Sequence, residues 1–253
     1  MTLSSLTTVF SQEENTEEVV QKKPKIEKVG EHLYQIGKIQ LDQKKREISF
    51  GAGVNMRQGL IEYLLATTKS DKVHETLFLT DISPFNLNVA MKLLSIKESK
   101  ELFEIVDEET WTPTGKFPPV TPEDHAASLV DILVEWEHEG KTKTFQVHNF
   151  INHIEWPDDT NTPDPNQEFE TQELKLAVME KGPWLSTGSY LLDGRLKAEV
   201  GGLIFGIYTN EQALVNFPGK DRRSGDVWIP NETIVPKEET VVKIILKPHT
   251  KQK

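Results

Sequence analysis

The pair His74-Glu75 is the part of this sequence that comes closest to a catalytic or metal-binding motif. In a zinc-binding helix that starts with His-Glu, a second histidine four residues after the first shares the metal, and the glutamate serves as the base. Phe78 occupies that position here, so the zinc motif is incomplete. His74 and Glu75 are therefore candidates for an acid–base site only if other parts of the chain complete it. A histidine that hydrogen-bonds a loop carbonyl is the simpler interpretation.

Ser186 is the candidate nucleophile that could complete such a site. A nucleophilic serine needs a sharp turn or a neighbouring base. Neither a Gly-x-Ser-x-Gly nor a Ser-x-x-Lys pattern surrounds Ser186 or Ser189. A predicted hairpin instead places Ser189 opposite Ala198, where two small side chains would let another layer pack closely. Packing is therefore the favoured interpretation of this segment.

An acidic stretch over residues 157–173 supplies hard oxygen ligands of the kind that calcium prefers. The order of an EF-hand is missing, because the stretch has no central glycine and no terminal glutamate at the right distance, and Pro163 and Pro165 stiffen it. A solvated acidic loop is the simpler interpretation, and a calcium-stabilised module is the alternative. The candidate metal ligands are Asp158, Asp159, Asn161, Asp164, Asn166 and Glu168.

Composition disfavours several classes of function. The chain has no cysteine, which excludes disulfides, a thiol nucleophile, Cys-ligated zinc and Cys-held iron–sulfur clusters. Its 40 Asp and Glu outnumber its 29 Lys and Arg, and the net charge of −11 would repel a nucleic-acid backbone. Phosphate-binding glycine loops are missing, and no apolar run reaches the roughly 20 residues that span a bilayer. We therefore expect no cofactor, no nucleic-acid partner and no transmembrane segment.

The first 31 residues differ from the rest of the chain. Residues 1–11 contain a short apolar stretch, and Val9 and Ser11 stand like the small residues before a signal-peptidase site. We interpret this segment as the remnant of an export signal, which predicts a periplasmic or secreted protein; the alternative is the disordered tail of a cytoplasmic protein. Residues 12–31 are charged and nearly free of large apolar side chains, which predicts a disordered leader.

A hairpin is the most strongly indicated element of the sheet. Apolar and polar residues alternate with period two on both sides of Glu139-Gly140, a favourable two-residue turn. The resulting register places Val134 opposite Phe145 on one face. On the other face it places Asp131 opposite His148.

The remaining segments predict an α+β fold class, as a single domain dominated by antiparallel β-sheet with one main helix. Ser83 is a suitable N-cap, and the apolar spacing after Pro84 predicts that helix over residues 84–97. Residues 107–127 contain four prolines and are predicted to form a long loop. The domain is predicted to span residues 32–248, with a tail at 249–253. Further strands are predicted at 33–40, 46–50, 60–66, 184–192, 195–200, 203–208 and 240–246, and for the apolar run 60–66 a helix is the alternative.

Several short motifs resemble those of the YdjY-like domain family of bacteria. These motifs lie at residues 72–77, 88–94, 112–115, 135–136, 184–189, 213–218 and 236–248. The resemblance covers roughly residues 33–248, and it implies an exported location more than a mechanism. Where the family closes its helix with a glycine, this sequence has Ser95, which puts the tight exit from that helix in doubt.

Three hypotheses for the function follow. The first is an exported, non-enzymatic domain that binds an envelope protein or a surface polymer. The second is a hydrolase-like enzyme with a dispersed site near His74 and Glu75, and the third is a calcium-stabilised binding module. A pocket that unites His74 and Glu75 with Trp184 or Ser186 would favour the enzyme. A broad exposed apolar patch or a free sheet edge would favour the binding domain.

Overall fold

Short strands dominate the part of the chain that the computed structural model describes, residues 23–156 and 175–250. Within these ranges the protein is mostly β, with three α-helices and two 3₁₀ turns. The helices are α1 (Pro84–Leu93), α2 (Pro122–Ser128) and α3 (Lys197–Gly201), and the 3₁₀ turns are Val73–Glu75 and Val147–Phe150. The strands are β1 (Ile26–Lys28), β2 (Leu33–Ile36), β3 (Ile39–Asp42), β4 (Glu47–Val54), β5 (Tyr63–Thr67), β6 (Thr76–Thr80), β7 (Leu129–His138), β8 (Lys141–Gln146), β9 (Ile151–Glu155), β10 (Lys175–Val178), β11 (Trp184–Ser186), β12 (Leu191–Leu192), β13 (Arg195–Leu196), β14 (Leu203–Gly206), β15 (Val215–Asn216), β16 (Trp228–Pro230) and β17 (Val241–Pro248).

Eight of these strands form a sheet that closes on itself. Closure occurs at β4, whose first residues pair with β3 and whose last residues, Gly53 and Val54, pair with Leu79 and Phe78 of β6. Around the ring the order is β4, β17, β7, β11, β15, β14, β5 and β6. Most pairings are antiparallel, whereas β5–β6 and β14–β15 are parallel. Strands β3, β2 and β1 extend the sheet from β4, β8 extends it from β7, and β10, β9 and β16 form a separate sheet.

The hydrophobic core fills the inside of the ring. Side chains alternate between the two faces of a strand, and the apolar residues of β4, β7 and β17 occupy the inward positions. In one row across these strands, Phe50 pairs with Ile244, and Ile244 pairs with Val134. The polar residues of the same strands face outward, so this part of the ring presents a polar outer surface.

Helix α1 begins as predicted and ends earlier than predicted. The Ser83 hydroxyl accepts a hydrogen bond from the Asn86 backbone N–H at 3.2 Å, which caps the first turn. The prediction of a helix to residue 97 is wrong, because Leu93 is the last helical residue and Ser95 adopts a φ of +60°. The Ser95 N–H donates to the Lys92 carbonyl, so the tight exit forms with serine in the left-handed conformation that glycine favours.

The predicted register of the hairpin between β7 and β8 is confirmed up to Gln146. Val134 pairs with Phe145 across the turn at Glu139-Gly140. The predicted pairing of Asp131 with His148 is wrong, because β8 gives way to the 3₁₀ turn Val147–Phe150, which turns Val147 and Phe150 into the core. The Asp131 carboxylate instead contacts Nδ1 of His249 at 2.9 Å.

Three other boundaries differ from the predictions. The folded part starts before residue 32, because β1 (26–28) pairs with β2, so the prediction of disorder is wrong for these residues. Residues 1–22 lie outside the described part of the chain. The predicted strand over 33–40 is two strands joined by a turn at Gly37-Lys38, since Ile36 pairs with Ile39. The predicted loop over 107–127 contains the start of α2, whose first turn is capped by the Thr121 hydroxyl.

The second predicted hairpin forms only near its turn. Leu192 pairs with Arg195 across Asp193-Gly194, as the Asp-Gly signal predicts. Beyond Leu196 the predicted strand is wrong, because residues 197–201 form α3. On the other side β11 leaves the hairpin and joins the ring between β7 and β15. None of the helices within residues 23–156 and 175–250 combines the length and apolar character needed to cross a membrane.

We expect replacement of Phe78 by alanine to lower the free energy of unfolding by about 3–5 kcal/mol, because it leaves a cavity where the ring closes. Phe78 is fully buried, pairs with Val54 and Leu65, and meets the Phe150 ring edge-on at 5.7 Å. Urea unfolding followed by circular dichroism measures the effect. As a control, Val241→Ala on β17, where valine is 77% exposed, changes stability by less than about 0.5 kcal/mol. Equal effects of the two substitutions would contradict the role of Phe78 in closure.

Candidate functional site

His74 and Glu75 lie in the 3₁₀ turn directly before β6, beside the start of β5. The His74 side chain is exposed, whereas the Glu75 carboxylate is largely buried and lies 2.6 Å from Nζ of Lys72. The Glu62 backbone N–H donates to the Glu75 carbonyl at 3.0 Å, which draws the beginning of β5 against the turn. The structure thus groups the predicted pair with Lys72 and Glu62, two residues outside the predicted site.

Glu62 is the electrostatically unusual member of this group. Burial raises the pKa of its carboxyl group, the negative charge of Glu75 raises it further, and Lys72 and His74 oppose the shift. The ion pair with Glu75 raises the pKa of the Lys72 ammonium group. A signal for Glu62 exists in the sequence, because it is the only charged residue of the apolar run 60–66. The positive charge of Lys72 offsets part of the negative charge of Glu62 and Glu75, so these residues form a local ion-pair network.

Ser186 does not join this group. It is buried on β11, and its carbonyl accepts a hydrogen bond from the Ser99 N–H at 2.9 Å. In the ring, three strands separate β11 from β6 in either direction, so Ser186 and Trp184 lie on the opposite side from His74 and Glu75. The expected hydrolase-like site is therefore not assembled from these residues. The Ser189 hydroxyl accepts a hydrogen bond from the Ala198 N–H at 3.0 Å, which adds a polar contact to the predicted small-residue pair.

Three histidines form pairs with carboxylates that the sequence did not indicate. Their partners are 24, 68 and 118 residues away in the chain, which is why no local pattern signals them. The pairs are His125–Glu101 at 2.7 Å, His153–Asp221 at 2.8 Å and His249–Asp131 at 2.9 Å. Among the described residues, no group of three or more His, Asp or Glu side chains is placed to hold a metal ion. The calcium candidates Asp158, Asp159, Asn161, Asp164, Asn166 and Glu168 lie outside the described ranges.

A groove crosses the outer face of β4, and two glycines form its floor. Gly51 and Gly53 occupy outward positions of β4, between the inward-facing Phe50, Ala52 and Val54. A Cβ atom added at either glycine would meet no heavy atom within 4 Å, and neither residue has a positive φ. Packing and backbone conformation therefore do not require glycine here. Two cavities of about 430 and 550 Å³ open over this floor, and they share Lys38, Gly51 and Val241.

Polar side chains form much of the groove wall, together with the apolar Val241 and the backbone of the glycine floor. Lys243 of β17 pairs with Gly51 on one side and with Glu135 of β7 on the other, and its Nζ lies 3.3 Å from the Glu135 carboxylate. At the junction of the two cavities Lys38 forms an ion pair with Asp81, and this hydrogen bond lowers the pKa of the Asp81 carboxyl group. The other polar lining residues are Gln35, Gln40, Ser49, Glu137, Asn55, Thr68, Thr80 and Glu239.

Comparison with known proteins does not assign this groove to a family. No protein-family model, no curated protein and no solved structure matches the chain. The resemblance to YdjY-like domains thus stays an expectation. The chemistry of the surfaces themselves is the basis for the function proposed below.

His148 makes the stability of the fold sensitive to pH. It lies in the 3₁₀ turn Val147–Phe150 and is only 4% exposed, and burial lowers its pKa, with a smaller contribution from Lys181. Its imidazole therefore prefers the neutral form in the folded protein. As the pH falls below the unfolded value of 6.5, the unfolded chain binds a proton before the folded one does. This difference stabilises the unfolded state at mildly acidic pH.

We expect His148→Gln to reduce the loss of stability between about pH 7.5 and pH 5.5, because the substitution removes that proton uptake. Urea midpoints of the wild type and the variant at the two pH values measure the difference. His138→Gln, at a histidine whose side chain is half exposed, is the control for replacing a histidine with glutamine. If His148→Gln shifts the midpoint equally at both pH values, the buried imidazole is not the source of the effect.

Proposed function

We propose that this protein is an exported, non-enzymatic binding domain that holds a neutral, hydroxyl-rich surface polymer in the groove over Gly51 and Gly53. The observation that carries the proposal is the open space above both glycines, where a Cβ atom added to either residue would have no heavy atom within 4 Å. Glycine inside a strand costs about 0.5–1 kcal/mol relative to alanine, and it often marks a place where a ligand approaches the backbone closely. An external ligand gives these two residues a role that the fold itself does not.

The polar side chains along the walls favour a ligand with many hydroxyl groups. Amide, hydroxyl, carboxylate and ammonium groups all line the groove, so it offers hydrogen-bond donors and acceptors along its length. Four carboxylates face two ammonium groups there, which disfavours a polyanion. The carboxylates are those of Asp81, Glu135, Glu137 and Glu239, and the ammonium groups are those of Lys38 and Lys243.

The strand pairing disfavours an extended peptide as the ligand. A peptide that adds to a sheet needs a free strand edge with unpaired backbone groups. At the groove β17 pairs with β4 and β7. On its other side β4 pairs with β3 up to residue 49 and with β6 from residue 53, and the short gap between them is bridged by the Thr80 hydroxyl, which donates to the Gly51 carbonyl at 2.7 Å. The ligand must therefore contact side chains and the glycine floor. Two cavities in series suit successive units of a chain better than a single small molecule.

The proposed location rests on residues 1–11 and on the resemblance to an often exported family. We expect fractionation of the cells that carry this gene natively to recover the protein in the periplasm or the medium. A cytoplasmic enzyme and a known periplasmic protein serve as fractionation markers. Recovery with the cytoplasmic marker alone would refute export and leave the groove to be tested separately.

We expect Gly51→Val and Gly53→Val to weaken polymer binding by about tenfold or more, because each fills the groove. Valine favours the strand and its Cβ atom meets no heavy atom within 4 Å at either position, so we expect the melting temperature to stay equal or rise. An array of neutral and charged glycans identifies the ligand, and calorimetric titration of the best glycan into each variant gives the affinity. Gly182→Val is the matched control, since Gly182 also has open space but lies outside the groove.

Two outcomes would contradict the proposal. In the first, the wild type binds no neutral glycan above the level of the charged ones. In the second, Gly51→Val and Gly53→Val bind the selected glycan as tightly as Gly182→Val does. A glycine variant that stays folded but loses affinity for the glycan supports the proposal, because unfolding then does not explain the lost binding.

A further inference from the structure

A rigid finger projects from the chain between α1 and α2. It comprises residues 105–116, and Val106 and Pro113 form a bridge across it. At its base the Ile105 N–H donates to the Lys116 carbonyl at 2.8 Å, and the Thr114 N–H donates to the Ile105 carbonyl at 3.0 Å. The tip is closed by the Asp107 carboxylate, which accepts hydrogen bonds from the backbone N–H groups of Glu109 and Thr110. The finger is thus a fixed structure.

Trp111 stands at the tip of this finger and is 81% exposed. Its φ is +57°, a conformation that a bulky residue rarely adopts, and its backbone N–H donates to the Asp107 carbonyl at 2.8 Å. The loop holds an indole ring in water at the expense of backbone strain. Strain of this kind in a native structure points to a functional role. Tryptophan on a rigid support is also the residue type that most often dominates the energy of a protein–protein interface.

The charges around Trp111 indicate which kind of partner surface would bind it. Glu108 and Glu109 are exposed and lie within three residues of Trp111 in the chain, and the hydrogen bonds to Asp107 lower the pKa of its carboxyl group, so the tip is negative at neutral pH. Apolar side chains continue down the finger at Ile105 and Val106, which are partly exposed. An apolar ring bordered by carboxylates complements an apolar pocket bordered by Lys or Arg, and those cations can also stack on the indole face.

We propose that the finger is a docking site for a second protein, whose matching surface is an apolar pocket with a basic rim. This interaction goes beyond the polymer groove, because no residue of the finger lines either cavity. The base is anchored to the rest of the fold. The Arg223 guanidinium lies over the Phe117 ring at 5.7 Å from its centre, and it lies 3.4 Å from the Glu104 carboxylate. These contacts, together with the hydrogen bonds within the finger, favour a single conformation before a partner binds.

A phage library of random dodecapeptides, panned on the immobilised full chain, tests the proposal. The decisive variant is Trp111→Gly, because glycine accepts the positive φ and this variant stays folded. We expect enriched peptides to carry an aromatic or aliphatic residue next to Lys or Arg. The dissociation constant of the most enriched synthetic peptide then rises by about thirtyfold in Trp111→Gly.

Two further variants separate the contributions of charge and of exposed tryptophan. The double variant Glu108→Lys, Glu109→Lys lowers the affinity for the same peptide about tenfold, and added salt no longer weakens the binding. Trp156→Ala is the matched control, since Trp156 is 54% exposed but lies outside the finger, and it keeps the wild-type affinity.

The proposal is overturned if no peptide is enriched over a surface coated with Trp111→Gly, if the enriched peptides lack basic residues, or if Trp111→Gly binds them as the wild type does. Gly51→Val leaves peptide binding unchanged, which distinguishes this result from failure of the groove proposal.

Discussion

The pairing of β4 with β6 is the constraint on which the rest of the structure depends. Two residues at the end of β4 meet two residues of β6, and this contact converts an extended sheet into a ring. The ring encloses the apolar side chains of its strands, so a large core forms without disulfides in a chain that lacks cysteine. It also determines which residues can act together, because side chains on opposite strands are separated by the core. For this reason His74 and Ser186 belong to different parts of the molecule.

The same closure divides the outer surface into regions of different chemistry. Along most of β4 the backbone is paired on both sides, so a ligand can contact only side chains there, whereas Gly51 and Gly53 have none. The resulting groove is shallow and combines polar side chains with apolar surface. The finger around Trp111 presents an exposed indole together with carboxylates, and its position outside the ring allows it to carry strain without disturbing the core. A polymer and a protein could thus occupy the molecule at the same time.

Local patterns predicted the elements of this fold better than its assembly. The register of Val134 with Phe145 was predictable because a two-residue turn and period-two alternation determine it within a few residues. The start of α1 at Ser83-Pro84 was predictable for the same reason, whereas its end was not, because serine at position 95 takes the role of glycine. Closure of the ring was not predictable. The pairing of β17 with β4 joins residues nearly two hundred positions apart, and nothing in either strand specifies its partner.

For the candidate site too, local patterns indicated single residues but not which residues come together. His74 and Glu75 stand out as a dipeptide and Glu62 as a lone charge in an apolar run, but their proximity is apparent only when the start of β5 lies beside the turn. The groove was not predicted because glycine has no side chain to signal chemistry, and its significance depends on the empty space above it. Trp111 was visible only as one tryptophan among five, since sequence does not report exposure.

The position of β17 affects the order in which the sheet can fold. This strand is inserted between β4 and β7, so the sheet stays open until residues 241–248 are available. Before then β4 and β7 each present a row of unpaired backbone groups, which can recruit strands from other chains. Completion of the ring therefore waits for this one strand, and its removal by proteolysis would leave the edges of β4 and β7 free to pair with strands of other chains.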